Sequence, residues 1–277
     1  MSSVDDALLR TLLDDDCGLG DLTTDALGIG HAEGRFEFSA RQPMCVCGVE
    51  EAERLGELCG LRVRCQTRSG AALQSGDPIL EAAGAAEGLH RAWKTAQVLI
   101  EWSSGIASCA ADIVAAAGGI RVACTRKHPP GTKRLAVKSI RAGGATMHRL
   151  GLAETLLVFP EHRLFQTEAP RDTVSRLAHA EPEKRVVVEV RDMTEAVLWA
   201  QAGAGVLQLE KFSPAAVRDC RQRLAESGLR PLLAVAGGIT AANAADYVAA
   251  GAGLLVTSAP FAVPPRDVAV RFCCGDA

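Results

Sequence analysis

Residues 185–210 read RVVVEVRDMTEAVLWAQAGAGVLQLE, and this stretch indicates how the chain folds. Two short, mostly apolar runs, Arg185 to Val190 and Val206 to Leu209, flank a segment from Met193 to Ala202 whose apolar residues recur at helical spacing. Strands that are apolar almost throughout are typical of a parallel sheet covered on both faces. The stretch therefore predicts a strand, a helix and a second strand parallel to the first.

The same alternation of strand and helix continues on both sides of this stretch, beginning after Gly118-Gly119. Six or seven such units would fit either a doubly wound sheet or a compact, incomplete α/β barrel. Further strands are predicted at Arg121–Cys124, Thr155–Phe159, Leu232–Val235 and Leu254–Val256, and further helices at Pro214–Ser227 and Ala241–Ala250. Polar or glycine-rich positions follow several predicted strands, as expected at the rim of a barrel where active sites are built, so the barrel is favoured.

The first hundred residues mix short strands with turns and one helix, and the seam between domains is predicted to follow them, over residues 87–117. From Glu87 to Ala117 the chain is nearly free of helix-breaking residues. That segment predicts either one long helix or two helices that meet near Ser103-Ser104-Gly105. The other predicted elements of this part are strands at Arg35–Ala40, Leu61–Thr67 and Ile79–Ala82 and a helix at Val49–Cys59.

The composition of the 277 residues limits the classes of protein that the chain can be. Hydrophobic residues make up 48% and charged residues 23%, which is typical of a globular protein, and we expect no apolar run long enough to span a membrane. A net charge of −3 and 4% aromatic residues argue against a broad nucleic-acid-binding surface. The acidic start lacks an apolar leader, so a cytoplasmic location is expected. The ten cysteines are scattered, which favours reduced thiols over disulfides or a metal site.

Two basic clusters stand out as candidates for an anion site. Arg126 and Lys127 directly follow a predicted strand and precede a stiff Pro-Pro-Gly turn, while His148 and Arg149 follow the flexible pair Gly143-Gly144. A guanidinium can bind a carboxylate or phosphate through two hydrogen bonds, and an ammonium acts as a compact charge. The alternatives are a solvated loop for the first cluster and a structural hydrogen bond for the histidine.

Two acidic residues and a glycine pair lie at or just after the C-terminal ends of later predicted strands. Glu189 and Glu210 are 21 residues apart, about one strand–helix unit, so on a barrel they would face one cavity. Carboxylates opposite cations suggest Mg²⁺ or sugar hydroxyls as their partners, although an acid at a strand end can also cap a helix. The turn at Gly237-Gly238 could present backbone N–H groups to a phosphate.

Taken together, these motifs resemble the nicotinate-nucleotide pyrophosphorylase family, the type II quinolinate phosphoribosyltransferases. The matching stretches run in family order across almost the whole chain: Gly20-Asp21-Leu22-Thr23-Thr24, Cys47-Gly48-Val49-Glu50, Ser104-Gly105-Ile106-Ala107, Thr125-Arg126-Lys127 with Pro130-Gly131, His148-Arg149-Leu150-Gly151-Leu152 and Gly237-Gly238-Ile239-Thr240. The resemblance implies an N-terminal α/β sandwich over residues 1–105, an incomplete α/β barrel over 106–266, and a C-terminal segment, 267–277, that returns to the first domain. It also implies a homodimer with a shared active site.

The resemblance also implies roles for particular residues. Those expected to bind phosphoribosyl pyrophosphate and its Mg²⁺ are Lys127, Glu189, Glu210, Gly237 and Gly238. Those expected to bind an acidic acceptor are Arg126, His148 and Arg149, with Lys94 at the position of a family arginine contributed across the dimer interface.

Several positions depart from the family pattern. Phe159 replaces an acceptor-side lysine, which would leave one charge of a dicarboxylate unpaired on burial, so the expected acceptor is not quinolinate. The other departures are Lys94 for arginine, Glu210 for aspartate, Lys211 for asparagine and Ala236 for serine. Within the family the chain looks most like the ModD branch, which is associated with molybdenum transport.

Two other functions remain open from the sequence. One is a regulatory barrel that binds a phosphate ligand without catalysis, suggested by Phe159 and Ala236. The other is a lyase or aldolase with Lys127 as a Schiff-base residue, whose pKa Arg126 would lower.

Overall fold

The structure is a computed structural model that describes residues 4–275, and it consists of two compact units. The first unit takes in the chain up to residue 111, residues 129–144 and the chain from residue 260 onward. The second takes in residues 112–128 and 145–259. The predicted boundary at residue 105 lies six residues before this division, and residues 129–144, predicted as part of the barrel, belong to the first unit.

Most strands and helices lie where the sequence predicts them. The strands are β1 (Glu33–Ala40), β2 (Met44–Cys45), β3 (Arg62–Cys65), β4 (Ala72–Leu73), β5 (Pro78–Ala85), β6 (Val122–Cys124), β7 (Thr146–Met147), β8 (Leu156–Val158), β9 (Val186–Val190), β10 (Val206–Glu210), β11 (Leu232–Ala236), β12 (Leu254–Thr257) and β13 (Val268–Cys274). The helices are α1 (Asp6–Cys17), α2 (Leu22–Leu27), α3 (Val49–Leu58), α4 (Ala86–Ala116), α5 (Lys133–Ala142), α6 (Pro160–Arg163), α7 (Pro170–Ala180), α8 (Met193–Gln201), α9 (Pro214–Glu226) and α10 (Ala244–Ala250), and a 3₁₀ turn follows at Ala259–Ala262.

The first unit contains an antiparallel sheet of four strands in the order β13-β1-β5-β3. Strand β13 pairs with β1 along its whole length, from Val268 opposite Ala40 to Cys274 opposite Gly34, so the end of the chain completes this sheet. The large buried side chains of this unit include Phe36, Phe38 and Leu55. Burial of such apolar groups is the main stabilising contribution in a unit of this kind.

Helix α4 is one continuous helix of 31 residues, which settles the choice between one helix and two. It is also long and apolar enough to cross a membrane by length and composition, with a mean hydropathy of 1.4 in its most apolar window. The expectation that no run reaches this length was therefore wrong. Because 56% of that window is buried inside the protein, and core helices of soluble proteins often have the same composition, the helix is weak evidence for a membrane span.

The second unit is an incomplete barrel of seven parallel strands in the order β7-β6-β12-β11-β10-β9-β8. Neighbours in this order are also neighbours in the chain, except that the last strand, β12, pairs with the first, β6. A doubly wound sheet would reverse its strand order near its middle, whereas pairing of the last strand with the first is what closes a barrel. The barrel prediction is confirmed, with an open seam between β7 and β8.

Successive side chains of each barrel strand point alternately to the inner and the outer face. The inner face carries a small apolar cluster that includes Val206, Ala234, Ala236 and Val256. On the outer face, helices α7 and α8 pack against β9, and α8 also contacts β10. Every barrel strand is parallel, so all the carboxyl ends lie at one rim.

Candidate active site

A cavity of about 950 Å³ opens at the rim formed by the carboxyl ends of the barrel strands. This volume is in the range of small-molecule sites. Its walls are formed by Thr125, Arg126, Lys127, His148, Arg149, Leu157, Phe159, Glu189, Arg191, Gln208, Glu210, Lys211, Ala236, Gly237, Gly238, Val256 and Ser258. The structure thus brings together every predicted site residue except Lys94, while the roles assigned to them remain predictions.

The cavity is divided into sectors by the order of the strands around the rim. His148 and Arg149 follow β7, and next to them Arg126 and Lys127 follow β6. The glycine pair follows β11, across β12 from this cationic sector. Glu210 ends β10, and Glu189 lies on the neighbouring strand β9. The four predicted cationic residues therefore lie on one side of the rim and the two carboxylates on the other, with a glycine turn between them. Two further cations, Arg191 and Lys211, follow the strands that carry the carboxylates.

The cationic sector contains a buried arginine without an acidic partner. Arg149 is only 9% exposed, and among residues 4–275 no carboxylate forms an ion pair with it. Burial, together with the nearby Arg126, lowers its pKa. Its guanidinium carbon lies 5.3 Å from the ring centroid of Phe159, which brings together the ends of the two edge strands. A buried cation that the protein does not neutralise is suited to an anionic ligand.

Three further contacts hold His148 and Phe159 in this wall of the cavity. The backbone N–H of His148 donates to the carbonyl oxygen of Cys124 at 2.8 Å, which fixes the histidine next to β6. Burial lowers the pKa of His148, and the charge of Arg149 acts in the same direction, so the neutral imidazole is favoured near pH 7. The Phe159 ring stacks on His162 with centroids 5.7 Å apart, and the Phe159 N–H donates to the His162 Nδ1 atom at 2.9 Å.

The carboxylate sector is held by the register of β9 and β10. Glu189 is the register partner of Gln208, and the Gln208 Nε2 group donates to the Glu189 Oε2 atom at 2.8 Å. Strand alternation places Glu210 on the same face as Gln208. Burial raises the pKa of Glu189, and the charge of Glu210 raises it further, so the two carboxylates repel each other. A divalent cation would relieve that repulsion.

The donor set is suited to Mg²⁺ rather than to a soft metal. Magnesium is usually bound by one or two carboxylates together with phosphate oxygens of the substrate. Within the described part of the chain, no group of three or more histidine, cysteine, aspartate or glutamate side chains could hold an ion on its own. Glu189 and Glu210 could therefore hold Mg²⁺ in company with a phosphorylated substrate.

The glycine turn after β11 has a backbone that only glycine adopts easily. Gly237 and Gly238 have φ angles of 96° and 76°, in the left-handed region. The Asn243 side chain closes the turn by donating to the Gly238 carbonyl oxygen at 2.9 Å and accepting from the Thr240 N–H at 2.8 Å. Such a turn can direct backbone N–H groups toward an anion.

Gln208, Arg191 and Lys211 are among the wall residues that were not predicted as site residues from the sequence. Gln208 lies in the middle of a strand, but a polar residue in an otherwise buried strand could have marked it as facing a polar cavity. Arg191 follows β9 by one residue, and its guanidinium lies 3.5 Å from the Glu161 carboxylate. Lys211 was noted only as a departure from the family pattern.

Lys94 is part of the first unit, on helix α4. Its ammonium lies 5.8 Å from the ring centroid of Trp93 and 3.4 Å from the Gln97 Oε1 atom. Its expected role in a partner subunit's active site remains a prediction.

Two family models match the chain in succession. The N-terminal domain model of the quinolinate phosphoribosyl transferases matches residues 21–104, and the C-terminal domain model of the same family matches residues 106–271. The seam between the two matches is at residue 105.

Known relatives match over nearly their full length. The ModD protein of Rhodobacter capsulatus, provisionally named a pyrophosphorylase, is 46% identical over 250 residues, which cover 88% of this chain and 96% of its own. The ModD protein of Escherichia coli O6:H1 is 37% identical over 270 residues, or 95% of each chain. The carboxylating nicotinate-nucleotide pyrophosphorylase of Mycobacterium leprae is 30% identical over 258 residues, covering 91% and 90%.

Solved structures share the fold. NadC from Streptococcus pyogenes superposes with a TM-score of 0.89 at 22% identity, and a NadC deletion mutant superposes with a TM-score of 0.90 at the same identity. Both superpositions cover 100% of each chain. At such low identity, the likeness concerns the fold alone.

Proposed function

Because the chain belongs to the quinolinate phosphoribosyltransferase family, we propose that its barrel cavity transfers the phosphoribosyl group of phosphoribosyl pyrophosphate to a small acidic N-heterocycle. The chain is a pyrophosphorylase-type enzyme related to ModD. The observation that supports the proposed substrates is the division of one cavity into a cationic sector and a carboxylate sector. Such a cavity can hold an anionic acceptor on one side and a developing positive charge on the other.

In the proposed reaction a ring nitrogen of the acceptor forms a bond to the anomeric carbon of the ribosyl group. The bond between that carbon and the pyrophosphate oxygen breaks, and its electron pair leaves with pyrophosphate. Positive charge therefore develops on the sugar, and fixed carboxylates stabilise it without having to reorganise. Glu189 and Glu210 would supply this stabilisation.

The leaving group needs the opposite kind of support. Lys127 is exposed at the end of β6 and can place its ammonium on a pyrophosphate oxygen. Gly237 and Gly238 would bind the phosphate of the donor through their backbone N–H groups. Mg²⁺ held by the two carboxylates would supply positive charge that offsets the charge of pyrophosphate.

The acceptor would lie against Arg126, His148 and Arg149. Phe159 places an aromatic ring, and no charge, beside Arg149, so a second carboxylate of the acceptor would be buried there without a partner. The proposal is therefore an acceptor other than quinolinate. A homodimer in which the partner contributes Lys94, a cytoplasmic location and a link to molybdenum transport are further parts of the proposal that come from the family resemblance.

Two measurements test the proposal. Isothermal titration should show binding of phosphoribosyl pyrophosphate in the presence of Mg²⁺, and a screen of pyridine mono- and dicarboxylates should show release of pyrophosphate with at least one of them. Absence of donor binding would overturn the transferase proposal. Donor binding without pyrophosphate release from any acceptor would instead support the regulatory barrel.

The variant Glu189→Gln tests the proposed role of one carboxylate in the transition state. Loss of one fixed charge aimed at the transition state is expected to lower turnover about a hundredfold to a thousandfold. The matched control is Glu183→Gln, because Glu183 is exposed and lies outside the cavity wall. Equal turnover in the two variants would contradict the role of Glu189.

The Schiff-base alternative has less support from the structure. A lysine that forms Schiff bases is usually activated by burial in an apolar pocket or by another cation. Lys127 is exposed, and so is the neighbouring Arg126, so solvent screens its charge from the lysine. Borohydride trapping with a carbonyl substrate should leave Lys127 unlabelled.

A further inference from the structure

Lys211 faces the cavity although the alternation of its strand would direct it to the outer face. Val206, Gln208 and Glu210 share the inner face of β10, so the next residue in extended conformation would point outward. Instead, Lys211 has a φ of 59°, in the left-handed region, and its N–H donates to the Ala236 carbonyl oxygen at 2.8 Å. This backbone turns the side chain of Lys211 back onto the cavity wall.

This conformation is uncommon for a residue with a side chain. Among residues 4–275, Lys211 is the only residue other than glycine with a positive φ. The left-handed region costs free energy for lysine and little for glycine or asparagine. Non-glycine residues held in such conformations cluster at functional sites, where the surrounding structure maintains the strain.

The stem of Lys211 passes directly over the glycine turn. A Cβ atom on Gly237 would lie 2.8 Å from the Lys211 Cγ atom and 3.2 Å from its backbone nitrogen. Glycine at this position therefore makes room for the lysine as well as permitting the turn. The same Cβ would lie 3.3 Å from Glu210 Oε1, so the Lys211 stem and the Glu210 carboxylate both lie at the glycine turn.

The groups at this turn are hydrogen-bond donors without protein acceptors. Within the part of the chain that the structure describes, no carboxylate lies within ion-pair distance of the Lys211 ammonium, and the N–H groups of Gly237 and Gly238 donate to no protein atom. An ammonium and adjacent backbone N–H groups are what a phosphate monoester, with its double charge and several acceptor oxygens, can satisfy together.

We propose that Lys211 binds the phosphate monoester of the phosphoribosyl donor over the Gly237-Gly238 turn. This rests on the proposed function and adds a residue to it. The strained backbone is retained because it delivers the ammonium to the phosphate, and a less strained residue at this position would give a more stable protein that binds its donor less tightly.

The test compares Lys211→Gly and Lys211→Asn with the wild type. Both residues adopt the left-handed region readily, so the midpoint of thermal unfolding is expected to rise by about 2 °C or to stay unchanged. The dissociation constants for ribose 5-phosphate and for phosphoribosyl pyrophosphate with Mg²⁺, measured by titration calorimetry, should rise about tenfold. The control Lys184→Asn makes the same exchange at a partly exposed lysine that pairs with Glu181 outside the cavity wall, and it should leave both constants unchanged.

The outcomes separate this inference from the proposed function. If the wild type binds phosphoribosyl pyrophosphate and the Lys211 variants bind it equally well, the role of Lys211 is overturned and the transferase proposal stands. If the variants are less stable than the wild type, Lys211 supports the fold and the inference is also overturned. If the wild type does not bind the donor, the proposed function itself fails.

Discussion

Two buried cations in this molecule, Lys138 in the first unit and Arg149 in the second, have opposite surroundings. Lys138 is 7% exposed, and its ammonium contacts the Glu50 carboxylate at 2.8 Å and the Glu51 carboxylate at 2.5 Å. Arg149 is 9% exposed and has an aromatic ring and another arginine as neighbours. A buried charge with protein partners is compensated in the folded protein. A buried charge without partners lowers the stability of the protein until a ligand supplies the partner.

The Lys138 cluster shows how the first unit satisfies its buried charges. Glu50 and Glu51 lie in the first turn of α3, where the helix dipole favours negative charge. Burial opposes the charged form of Lys138, but hydrogen bonds to the two carboxylates outweigh it and raise its pKa. Since Lys138 lies on α5, these contacts are one physical reason that residues 129–144 belong to the first unit and not to the barrel.

The largest effect is expected from Lys138→Met. Removing one partner of a buried ion pair leaves the other uncompensated, and Glu51 is only 1% exposed. The free energy of unfolding, measured by urea denaturation, should fall by about 3 kcal/mol. The control Lys184→Met removes an exposed pair with Glu181 and should cost less than about 1 kcal/mol. Similar losses in both variants would mean that the cluster does not stabilise the unit.

The sequence predicts the barrel well because its signal is local. The apolar run from Arg185 to Val190 predicts β9 to within one residue of its observed start. Strand β7 has only two residues and no apolar run, so no periodicity could reveal it. The serines and glycine in the middle of α4 suggested a break, but Gly105 is small because a Cβ there would lie 2.6 Å from the Pro264 carbonyl oxygen. Close packing explains that pattern, and packing partners distant in the chain are not visible in the local sequence.

The candidate site was predictable where residues lie at or just after the carboxyl ends of strands, as Glu189 and Glu210 do. Gln208 was missed because it lies inside a strand, and only the register with Glu189 shows that its amide orients a carboxylate. Lys211 could not have been placed from alternation, which directs it outward. The placement of the Lys211 side chain depends on its positive φ of 59°, and no sequence pattern predicts a positive φ for a lysine.

Arg149→Met is expected to change the stability less than Lys138→Met and not to lower it to the same extent. The substitution removes a buried, unpaired charge that Arg126 repels, so the free energy of unfolding should stay within about 1 kcal/mol of the wild type or rise. At the same time the KM for any acidic acceptor should increase. Arg218→Met, at an exposed arginine of α9 outside the cavity wall, is the control for stability. A fall in the free energy of unfolding close to that of the Lys138 variant would show that Arg149, like Lys138, stabilises the fold.

The smallest expected effect concerns the pH dependence of the first unit. Burial would raise the pKa of Glu50, but hydrogen bonds from Lys138 and Ser69 outweigh it and lower the pKa from its ordinary 4.5 to about 2. Between these values the unfolded chain binds a proton that the folded chain does not, so stability increases with pH through this window and is lost as pH falls toward 2. Glu50→Gln should therefore lower the free energy of unfolding by about 1 kcal/mol at pH 6, and this difference should shrink between pH 4.5 and pH 2. Urea denaturation at several pH values measures it, with Glu57→Gln, in an exposed pair with Arg54 on the same helix, as the control. A difference that stays constant down to pH 2 would show that the Glu50 carboxylate gains nothing from its partners in the folded chain.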